Sequence, residues 1–385
     1  MSERTYTSVE ICAGAGGQAI GLHRAGFHHK ALVELDPNAC ATLRKNVGKI
    51  NSREEDVHEL DLKLFTKGPK TEPGQYDVTD LGLDGVEVDL LAGGVPCPPF
   101  SFAGKQLGED DERDLFPVML DMVEALDPKA VMIENVRGLL EPAEKFGPYR
   151  ESILKRLAGL GYTTCDWAVL EAVNFQVPQL RPRAILVAMK EPYARHFGKL
   201  PKGDPYHPLT VAVALGDTMR ARRDALRGTV HEKEALAAYD RWEERAVKAA
   251  TPIPLRGVAP TLVGGSKKHG GADLGPTRAK RAWAALGVNG LGVADENPTS
   301  KPDRHFLRKE GPMLTVVQAA IIQGFPSDWK FHGLKTAAYR QVGNAFPPPV
   351  AEAVAKQIRA AIEKGEAGVE PPARAEAPGK QLAMV

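Results

Sequence analysis

Cys97 stands in a segment whose composition suits a fixed nucleophile. The segment reads Gly-Gly-Val-Pro-Cys-Pro-Pro-Phe-Ser from position 93 to 101 and directly follows the apolar run Asp89–Ala92. Prolines on both sides restrict the backbone, so holding the thiol in one position costs little conformational entropy. The other cysteines lie in strand or helix patterns typical of core residues: Cys12, Cys40 and Cys165. The sequence therefore favours Cys97 as a nucleophile, with a structural thiol as the alternative.

A carboxylate ends the next apolar strand along the chain. The run Val131–Ile133 leads into Glu134, Asn135 and Val136. A carboxyl group at the end of a buried strand is costly unless it is paired or used, and partial burial raises its pKa towards values that suit proton donation. Because parallel strands end at one edge of a sheet, we expect the Cys97 thiol and the Glu134 carboxyl to face one cleft.

Three planar hydrogen-bond donors open a further strand. Gln179, Arg181 and Arg183 alternate along the chain and are expected to point to one side. Side chains of this kind suit the recognition of an anion or a carbonyl group. An exposed charged strand edge is the alternative interpretation.

The N-terminal glycines follow a strand and precede a helix, as in nucleotide-binding folds. Gly14, Gly16 and Gly17 follow the apolar run Thr7–Cys12, and Glu34 ends the next strand. Doubly wound folds place a carboxylate there on ribose hydroxyls. The dinucleotide pattern G-x-G-x-x-G is not met, because its third glycine would have to be Ala19. We therefore expect a nucleoside cofactor without a pyrophosphate, with a plain strand-to-helix turn as the alternative.

Strands alternate with helices over roughly the first 190 residues, which favours a parallel sheet covered by helices on both faces. Further strands are predicted at Lys30–Glu34, Val88–Ala92, Ala130–Glu134, Cys165–Glu171 and Ala184–Met189. Predicted helices are Pro37–Asn46, Leu115–Leu126 and Tyr149–Leu160, and, nearer the C-terminus, Val316–Gln323 and Pro349–Lys364.

Composition excludes several classes of protein. The chain of 385 residues is 43% hydrophobic and 26% charged, as in ordinary globular proteins. Fifty Lys and Arg against 49 Asp and Glu give a net charge of +1, so a uniformly basic nucleic-acid coat is excluded. The sequence has no apolar run of the roughly 18 residues that span a bilayer, and its polar start does not resemble a secretory signal. The cysteine spacing matches neither a zinc site nor a disulfide framework, and we expect a cytoplasmic protein that needs no membrane and no metal.

The pattern changes after about residue 190. Residues 211–250 form a charged helical region whose signs nearly cancel, which we interpret as a solvated structural arm. Residues 256–309 carry ten Lys and Arg against four Asp and Glu, a local net charge of +6. A polyanion is expected to bind there.

In their order, these motifs resemble those of the cytosine-C5 DNA methyltransferases over Thr7–Met189 and Met313–Ile362. A single tripeptide would occur by chance, but the whole set in sequence is specific. The matching motifs are the glycine loop in Glu10–Gly17, Glu34 with Asp36, Asp56-Val57, Pro96-Cys97, Glu134-Asn135-Val136, Gln179-x-Arg181-x-Arg183, Gln323-Gly324-Phe325-Pro326 and Gln341-Val342-Gly343-Asn344.

The resemblance implies an α/β fold of the class I S-adenosylmethionine-dependent methyltransferases, Rossmann-like, with a mixed seven-stranded sheet and a small irregular target-recognition domain. We expect residues 1–191 and 310–364 to form the catalytic and cofactor domain, 192–309 the target-recognition domain, and 365–385 a flexible tail. The last helix is expected to pack beside the first glycine loop.

The resemblance also implies methyl transfer from S-adenosylmethionine to C5 of a flipped-out cytosine in duplex DNA. Cys97 would attack C6 while Glu134 hydrogen-bonds or protonates N3, and Arg183 would hold O2. Arg181 and Gln179 would support the site. Asn135 would brace the loop that carries Pro96 and Cys97.

For the cofactor, the resemblance implies that Glu34 binds the ribose hydroxyls and Asp56 the adenine amino group. Gly14, Gly16 and Gly17 would admit the methionine part, and Asn344 would close the pocket. Other cofactor-binding residues implied are Cys12, Ala13, Leu35, Val57, Gly94, Pro96 and Ala345. Cys12 and Leu35 stand where the family commonly has aromatic residues, so altered packing on adenine is expected.

Flipping a base costs a few kcal/mol, so the duplex must be held meanwhile. A lid over residues 101–117 and a glycine- and lysine-rich loop over 264–271 are the expected DNA contacts, with plain solvated loops as the alternative. The candidate DNA-binding residues are Ser101, Lys105, Gln106, Lys267, Lys268, His269 and Arg278.

A specific duplex DNA site is the expected substrate, with the chain as the modification half of a restriction–modification pair. We expect a monomer associated with the nucleoid and a separately acting cognate endonuclease. The alternatives are a transfer-RNA cytosine-C5 methyltransferase, whose usual Cys-Phe-Thr signature is absent, and a catalytically silent DNA-binding regulator. A nicotinamide dehydrogenase is disfavoured by the glycine spacing.

Overall fold

The computed structural model describes residues 4–96, 114–142, 146–264 and 272–370. In these residues the central element is a seven-stranded sheet of order β3-β2-β1-β4-β5-β7-β6. β7 runs antiparallel to both of its neighbours, and the other pairs are parallel. The predicted mixed seven-stranded sheet is therefore confirmed. The strands are β1 Tyr6–Ile11, β2 Phe27–Glu34, β3 Val57–Glu59, β4 Leu90–Gly93, β5 Ala130–Val136, β6 Thr163–Glu171 and β7 Pro182–Met189.

Helices in the described residues mostly follow the predicted pattern. The single charged region 211–250 is two helices, separated by a turn in which Gly228 has a φ of 71°. The elements β3, α5, α8, α9 and α11 were not predicted, and of these β3 and α11 overlap the motif segments Asp56-Val57 and Gln341–Asn344. The helices are α1 Gly17–Arg24, α2 Pro37–Asn46, α3 Phe116–Leu126, α4 Gly147–Gly159, α5 Ala194–Phe197, α6 Val211–Asp224, α7 Glu232–Ala250, α8 Thr277–Ala285, α9 Pro302–His305, α10 Val316–Gln323, α11 Lys335–Asn344 and α12 Pro348–Glu366.

Both faces of the sheet are buried, as its apolar strands require. On β5, Ala130 and Met132 pack into one hydrophobic cluster with α12, while Val131 and Ile133 pack into another with α3 and α4. This alternation follows from the two-residue period of a strand. It leaves the strand ends, where the chain turns polar, as the place for chemistry.

A third cluster joins α2 and the segments on both sides of position 309. Trp242 and Trp283 are buried in it together with Leu314, Val342 and Leu43. The described parts of 192–309 therefore share a hydrophobic core with residues 313–345. The domain boundary at 309 remains a prediction.

The last helix packs against the first, as expected. α12 lies along α1, where Gly21 faces Ala351 and the Pro348 carbonyl. α12 continues to Glu366, two residues past the predicted end, and the Glu366 carboxylate accepts from Lys129 Nζ at 2.9 Å and pairs with Arg4. These ion pairs connect the end of α12 to residues that precede β1 and β5. Residues 371–385 lie outside the described part of the chain.

The contact between α1 and α12 is tested by Gly21→Ala. A Cβ at position 21 would lie 2.5 Å from the Ala351 Cβ and 2.6 Å from the Pro348 oxygen, which is backbone and cannot move alone. We expect urea unfolding to show a loss of about 1–3 kcal/mol in the free energy of unfolding. The matched control is Gly216→Ala within α6, where a Cβ meets nothing within 4 Å. That variant should gain about 0.5–1 kcal/mol, and equal stability of the two variants would contradict the packing.

Candidate active site

A cavity of about 420 Å³ opens at the carboxyl ends of β1, β2, β4 and β5. In open α/β sheets ligands bind at this edge. Ten of the predicted cofactor residues line it: Cys12, Ala13, Gly14, Gly17, Glu34, Leu35, Gly94, Pro96, Asn344 and Ala345. Glu134 lines it as well, so the predicted cofactor and catalytic groups meet in one place.

The glycine loop brings two parts of the chain into close contact. Gly14 and Gly16 have φ of 55° and 87°, a left-handed conformation that glycine adopts without strain. A Cβ on Gly16 would lie 2.9 Å from the Trp329 ring, and one on Gly17 would overlap the Phe346 carbonyl oxygen. Gly16 itself does not line the cavity and instead permits the contact with Trp329.

The Glu34 carboxylate is held at the cavity rim by backbone amides. It accepts hydrogen bonds from Gly14 N at 2.7 Å, Leu35 N at 2.9 Å and Asp36 N at 2.8 Å. Two carboxylate oxygens offer about four acceptor sites, so one remains for a ligand hydroxyl. This geometry suits the ribose contact predicted for Glu34.

Asp56 and Val57 are not brought to the cavity. The Asp56 carboxylate accepts from Arg53 N at 2.8 Å and from Arg53 Nη2 at 2.7 Å, and it thereby closes the short turn Glu54–Asp56. Asp61, five positions on, lines the cavity instead. The adenine contact predicted for Asp56 stays a prediction, and Asp61 is the carboxylate of this segment that lines the cavity.

Glu10 and Gln18 are cavity residues that the sequence reasoning missed. Glu10 is 1% exposed, and its Oε2 has no hydrogen-bond partner among the described residues; both amide atoms of Gln18 are also unpartnered. Burial, and then the nearby Glu34, raise the pKa of Glu10 well above its usual range. A carboxylate inside the apolar strand β1 was a usable signal, of the same kind that identified Glu134.

Glu134 and Arg183 form an ion pair at the strand ends. Arg183 Nε lies 2.7 Å from Glu134 Oε1, and each side chain is 14% exposed. The antiparallel register sets Arg183 opposite Val136, so Arg183 reaches Glu134 diagonally on the same face of the sheet. Gly94 leaves room for this carboxylate, since a Cβ there would lie 3.0 Å from Glu134 Oε2.

Asn135 ties the end of β5 to the segment that precedes the predicted nucleophile. Its Nδ2 donates to the Val95 carbonyl at 2.9 Å, two residues before Cys97. This bond agrees with the bracing role expected of Asn135. Seven predicted site residues lie outside the described residues: Cys97, Ser101, Lys105, Gln106, Lys267, Lys268 and His269.

Arg181 does not line the cavity, and its side chain instead connects the segments behind the cavity wall. Its guanidinium is buried and donates to three backbone carbonyls, Leu262 O at 2.7 Å, Gly343 O at 2.9 Å and Ala345 O at 3.0 Å. Burial, and then repulsion by Arg183, lower the pKa of Arg181 to about 9. The strand-opening side chains were predicted to recognise an anion or a carbonyl group. For Arg181, the carbonyl groups are backbone carbonyls of the protein itself.

Gln179 extends the same connection. Its Oε1 accepts from Leu262 N at 2.7 Å, and its Nε2 donates to Gln323 Oε1 at 2.6 Å. Gln179 and Arg181 therefore act as positioning residues, and of the three alternating donors only Arg183 reaches Glu134.

Arg278 lies exposed in the first turn of α8. The described residues contain no group of three or more His, Cys, Asp and Glu that could hold a metal ion. Within the same residues, every helix is too short or too polar to cross a bilayer.

Comparison with known proteins gives a match over nearly the whole chain. Residues 6–360 match the family model described as C-5 cytosine-specific DNA methylase. The chain is 49% identical over 355 residues to the type II methyltransferase M.NaeI of Lentzea aerocolonigenes, covering 92% of this chain and 75% of that protein. It is 45% identical over 363 residues to the type II methyltransferase M.NgoMIV of Neisseria gonorrhoeae, covering 93% of this chain and 99% of that protein.

A solved structure of a DNMT2 mutant from Spodoptera frugiperda superposes with a TM-score of 0.55 at 15% identity. The superposition covers 93% of this chain and 99% of that one. At this identity the likeness concerns the fold alone, and it agrees with the class I methyltransferase architecture.

Replacing Arg181 by Met tests its positioning role. The variant leaves the buried carbonyls of Leu262, Gly343 and Ala345 without their donor, so we expect the free energy of unfolding to fall by about 2–4 kcal/mol in urea. Arg137→Met is the control, because Arg137 is 51% exposed and pairs only with other exposed side chains, Glu141 and Glu171. Its effect should stay within about 0.5 kcal/mol, and a similarly small effect at Arg181 would contradict the assignment.

The raised pKa of Glu10 predicts a pH-dependent stability. In the folded protein, Glu10 stays protonated at pH values at which the same side chain in the unfolded protein, with a pKa of about 4.3, has lost its proton. Stability from this group is complete below that pH and is lost as the pH rises through the folded pKa, by at most about 1.4 kcal/mol per pH unit. The Glu10→Gln side chain does not titrate. The free energy of unfolding of this variant in urea, relative to that of the wild type, should therefore increase from pH 4 upwards.

The control for this titration is Glu54→Gln, at an exposed glutamate. Its stability should follow the wild-type curve over the whole pH range. A Glu10→Gln curve that also runs parallel to the wild type would show that Glu10 ionises normally in the folded protein.

Proposed function

Because the chain belongs to the C-5 cytosine-specific DNA methylase family, we propose that it methylates C5 of a flipped-out cytosine in a specific duplex DNA sequence through covalent attack by Cys97. The observation that carries the proposal is the Glu134–Arg183 ion pair at the wall of the cavity. It sets a carboxyl and a guanidinium at the strand end next to the one that leads into Pro96 and Cys97.

The cavity fits S-adenosylmethionine as the methyl donor. Five acidic side chains line it, Glu10, Glu34, Asp36, Asp61 and Glu134. The ionised side chains among them favour a cationic ligand, and the polar atoms of Glu10 and Gln18 that lack a partner among the described residues can hydrogen-bond to it. When bound, S-adenosylmethionine supplies a methyl group activated by a positively charged sulfur. We propose that Glu34 accepts from the ribose and Asp61 from adenine, and that Gly17 and Asn344 border the methionine part.

The chain's own residues supply the activation of the base. The Cys97 thiolate forms a bond from Sγ to C6, and the electron pair of the C5–C6 double bond shifts so that C5 becomes nucleophilic. Glu134 hydrogen-bonds or protonates N3, which lets the ring accept this electron density. After C5 is methylated, the C5 proton passes to water, the C5–C6 double bond is restored, and the bond from Sγ to C6 breaks to release the Cys97 thiolate.

Arg183 has two tasks in this scheme. Its guanidinium fixes the Glu134 carboxylate through the 2.7 Å contact and donates from Nη1 to the Pro182 carbonyl at 2.8 Å, and its other donors hold the cytosine O2. Pro96 and Gly94 border the same space, and Asn135 holds Val95. The base is therefore held by groups on two adjacent strand ends.

We assign DNA binding to the region 192–309 and protection of a specific site to the enzyme. The two named relatives are type II methyltransferases, which supports a modification role beside a cognate endonuclease. Arg181 and Gln179 anchor Leu262 of this region to β7, so a duplex held there lies beside the cavity. Exposed basic side chains of the region include Arg256, Arg278, Arg281, Arg304 and Arg308.

Bisulfite sequencing of DNA from cells that express the chain tests the activity, and the expected result is methylation of cytosine in one sequence context. Cys97→Ser should abolish this methylation, and Glu134→Gln should lower the rate about 100-fold to 10,000-fold. A duplex with 5-fluorocytosine at the target should become covalently attached to the wild type.

Cys165→Ser is the matched control, because Cys165 lies in β6 away from the cavity. It should methylate as the wild type does. Full methylation by Cys97→Ser, or no covalent complex with the fluorinated duplex, would overturn the proposed mechanism.

A further inference from the structure

Arg340 is a basic residue in the wall of the cavity. It lies on α11 one turn before Asn344, and both residues line the cavity. Its Nε is buried without a hydrogen-bond partner, and Arg340 makes no side-chain hydrogen bond or ion pair with any described residue. A guanidinium carries five donors and stays charged, and leaving such a group partly buried and unpaired costs free energy. The arrangement indicates that a ligand supplies the missing acceptor.

The charges around the cavity show what kind of ligand group this is. Among the described lining residues, Arg340 is the one cationic side chain, against five acidic ones. The acidic side chains suit the sulfonium and amino groups of S-adenosylmethionine. They would repel its carboxylate, which therefore needs the cationic part of the wall.

We propose that Arg340 binds the α-carboxylate of the methionine part of S-adenosylmethionine, an inference that rests on the proposed function. The spacing of Arg340 and Asn344 by four residues puts both on one face of α11. Gly17, at the start of α1, borders the same cavity and adds the positive end of a helix. A guanidinium and a carboxylate pair through two parallel hydrogen bonds, so Arg340 orients the methionine part as well as attracting it.

A DNA phosphate is the competing partner. Gly264 packs closely against α11, since a Cβ there would lie 2.9 Å from the Arg340 carbonyl oxygen. The chain continues from Gly264 into the segment predicted to bind DNA. The carboxylate is favoured because Arg340 lies among cofactor-lining residues and its Nε is shielded from solvent.

The test measures binding to the full chain by calorimetry without DNA, using S-adenosylmethionine and decarboxylated S-adenosylmethionine, which differs only by the carboxylate. For Arg340→Gln we expect affinity for S-adenosylmethionine to fall about 10-fold to 100-fold, as for loss of a charge-assisted hydrogen bond. Affinity for the decarboxylated compound should be unchanged. Arg340→Lys should restore part of the loss.

Lys335→Gln is the matched control on the same helix, because Lys335 pairs with Asp295 at 2.6 Å and does not line the cavity. It should bind both compounds as the wild type does. Equal losses for both compounds in Arg340→Gln would overturn the carboxylate assignment. Unchanged cofactor affinity with weaker duplex binding would assign Arg340 to a phosphate. Failure of the wild type to bind S-adenosylmethionine at all would instead overturn the proposed function itself.

Discussion

The buried guanidinium of Arg181 is the interaction on which the arrangement of the site depends. It stands at the start of β7 and donates to carbonyls from two distant segments, Leu262 and the pair Gly343 and Ala345. Burying an arginine is favourable only when its donors are satisfied. A segment of the basic region and the end of α11 therefore have to meet at β7. Because Ala345 also lines the cavity, the same guanidinium fixes where the cavity wall meets the region proposed to bind DNA.

The sheet could be predicted because its strands bury both faces and therefore consist of continuous apolar runs, as at Ala130–Ile133. The site at the strand ends followed from one physical rule, that polar groups ending buried strands must be paired or used. That rule found Glu134, and the ion pair with Arg183 agrees with it. Applied to β1, it would also have found Glu10. Such reasoning works where the chemistry is set by position along a single strand.

Contacts between distant segments could not be predicted from the sequence. Asp56 matches a motif, yet Arg53 takes its carboxylate and Asp61 reaches the cavity, because the turn at Glu54–Asp56 closes on its own side chains. Gln179 and Arg181 share a strand face with Arg183 by pattern, but which of them meets a ligand depends on how Leu262 and Gly343 approach. The position of Arg340 in the cavity wall likewise depends on how α11 packs, which the sequence alone does not determine.

The acidic side chains in the cavity wall carry an electrostatic cost in the protein without a ligand. Burial, and then the nearby Glu34, raise the pKa of Glu10 well above its usual range, so ionising Glu10 in this site is costly. A cationic ligand removes this cost, so part of its binding energy comes from relieving repulsion that the fold maintains. Arg340 has no counter-ion among the described residues, and its Nε is buried there without a hydrogen-bond partner. A ligand that carries separated positive and negative groups relieves both at once. In the proposed function, this charge pattern favours a zwitterion with excess positive charge.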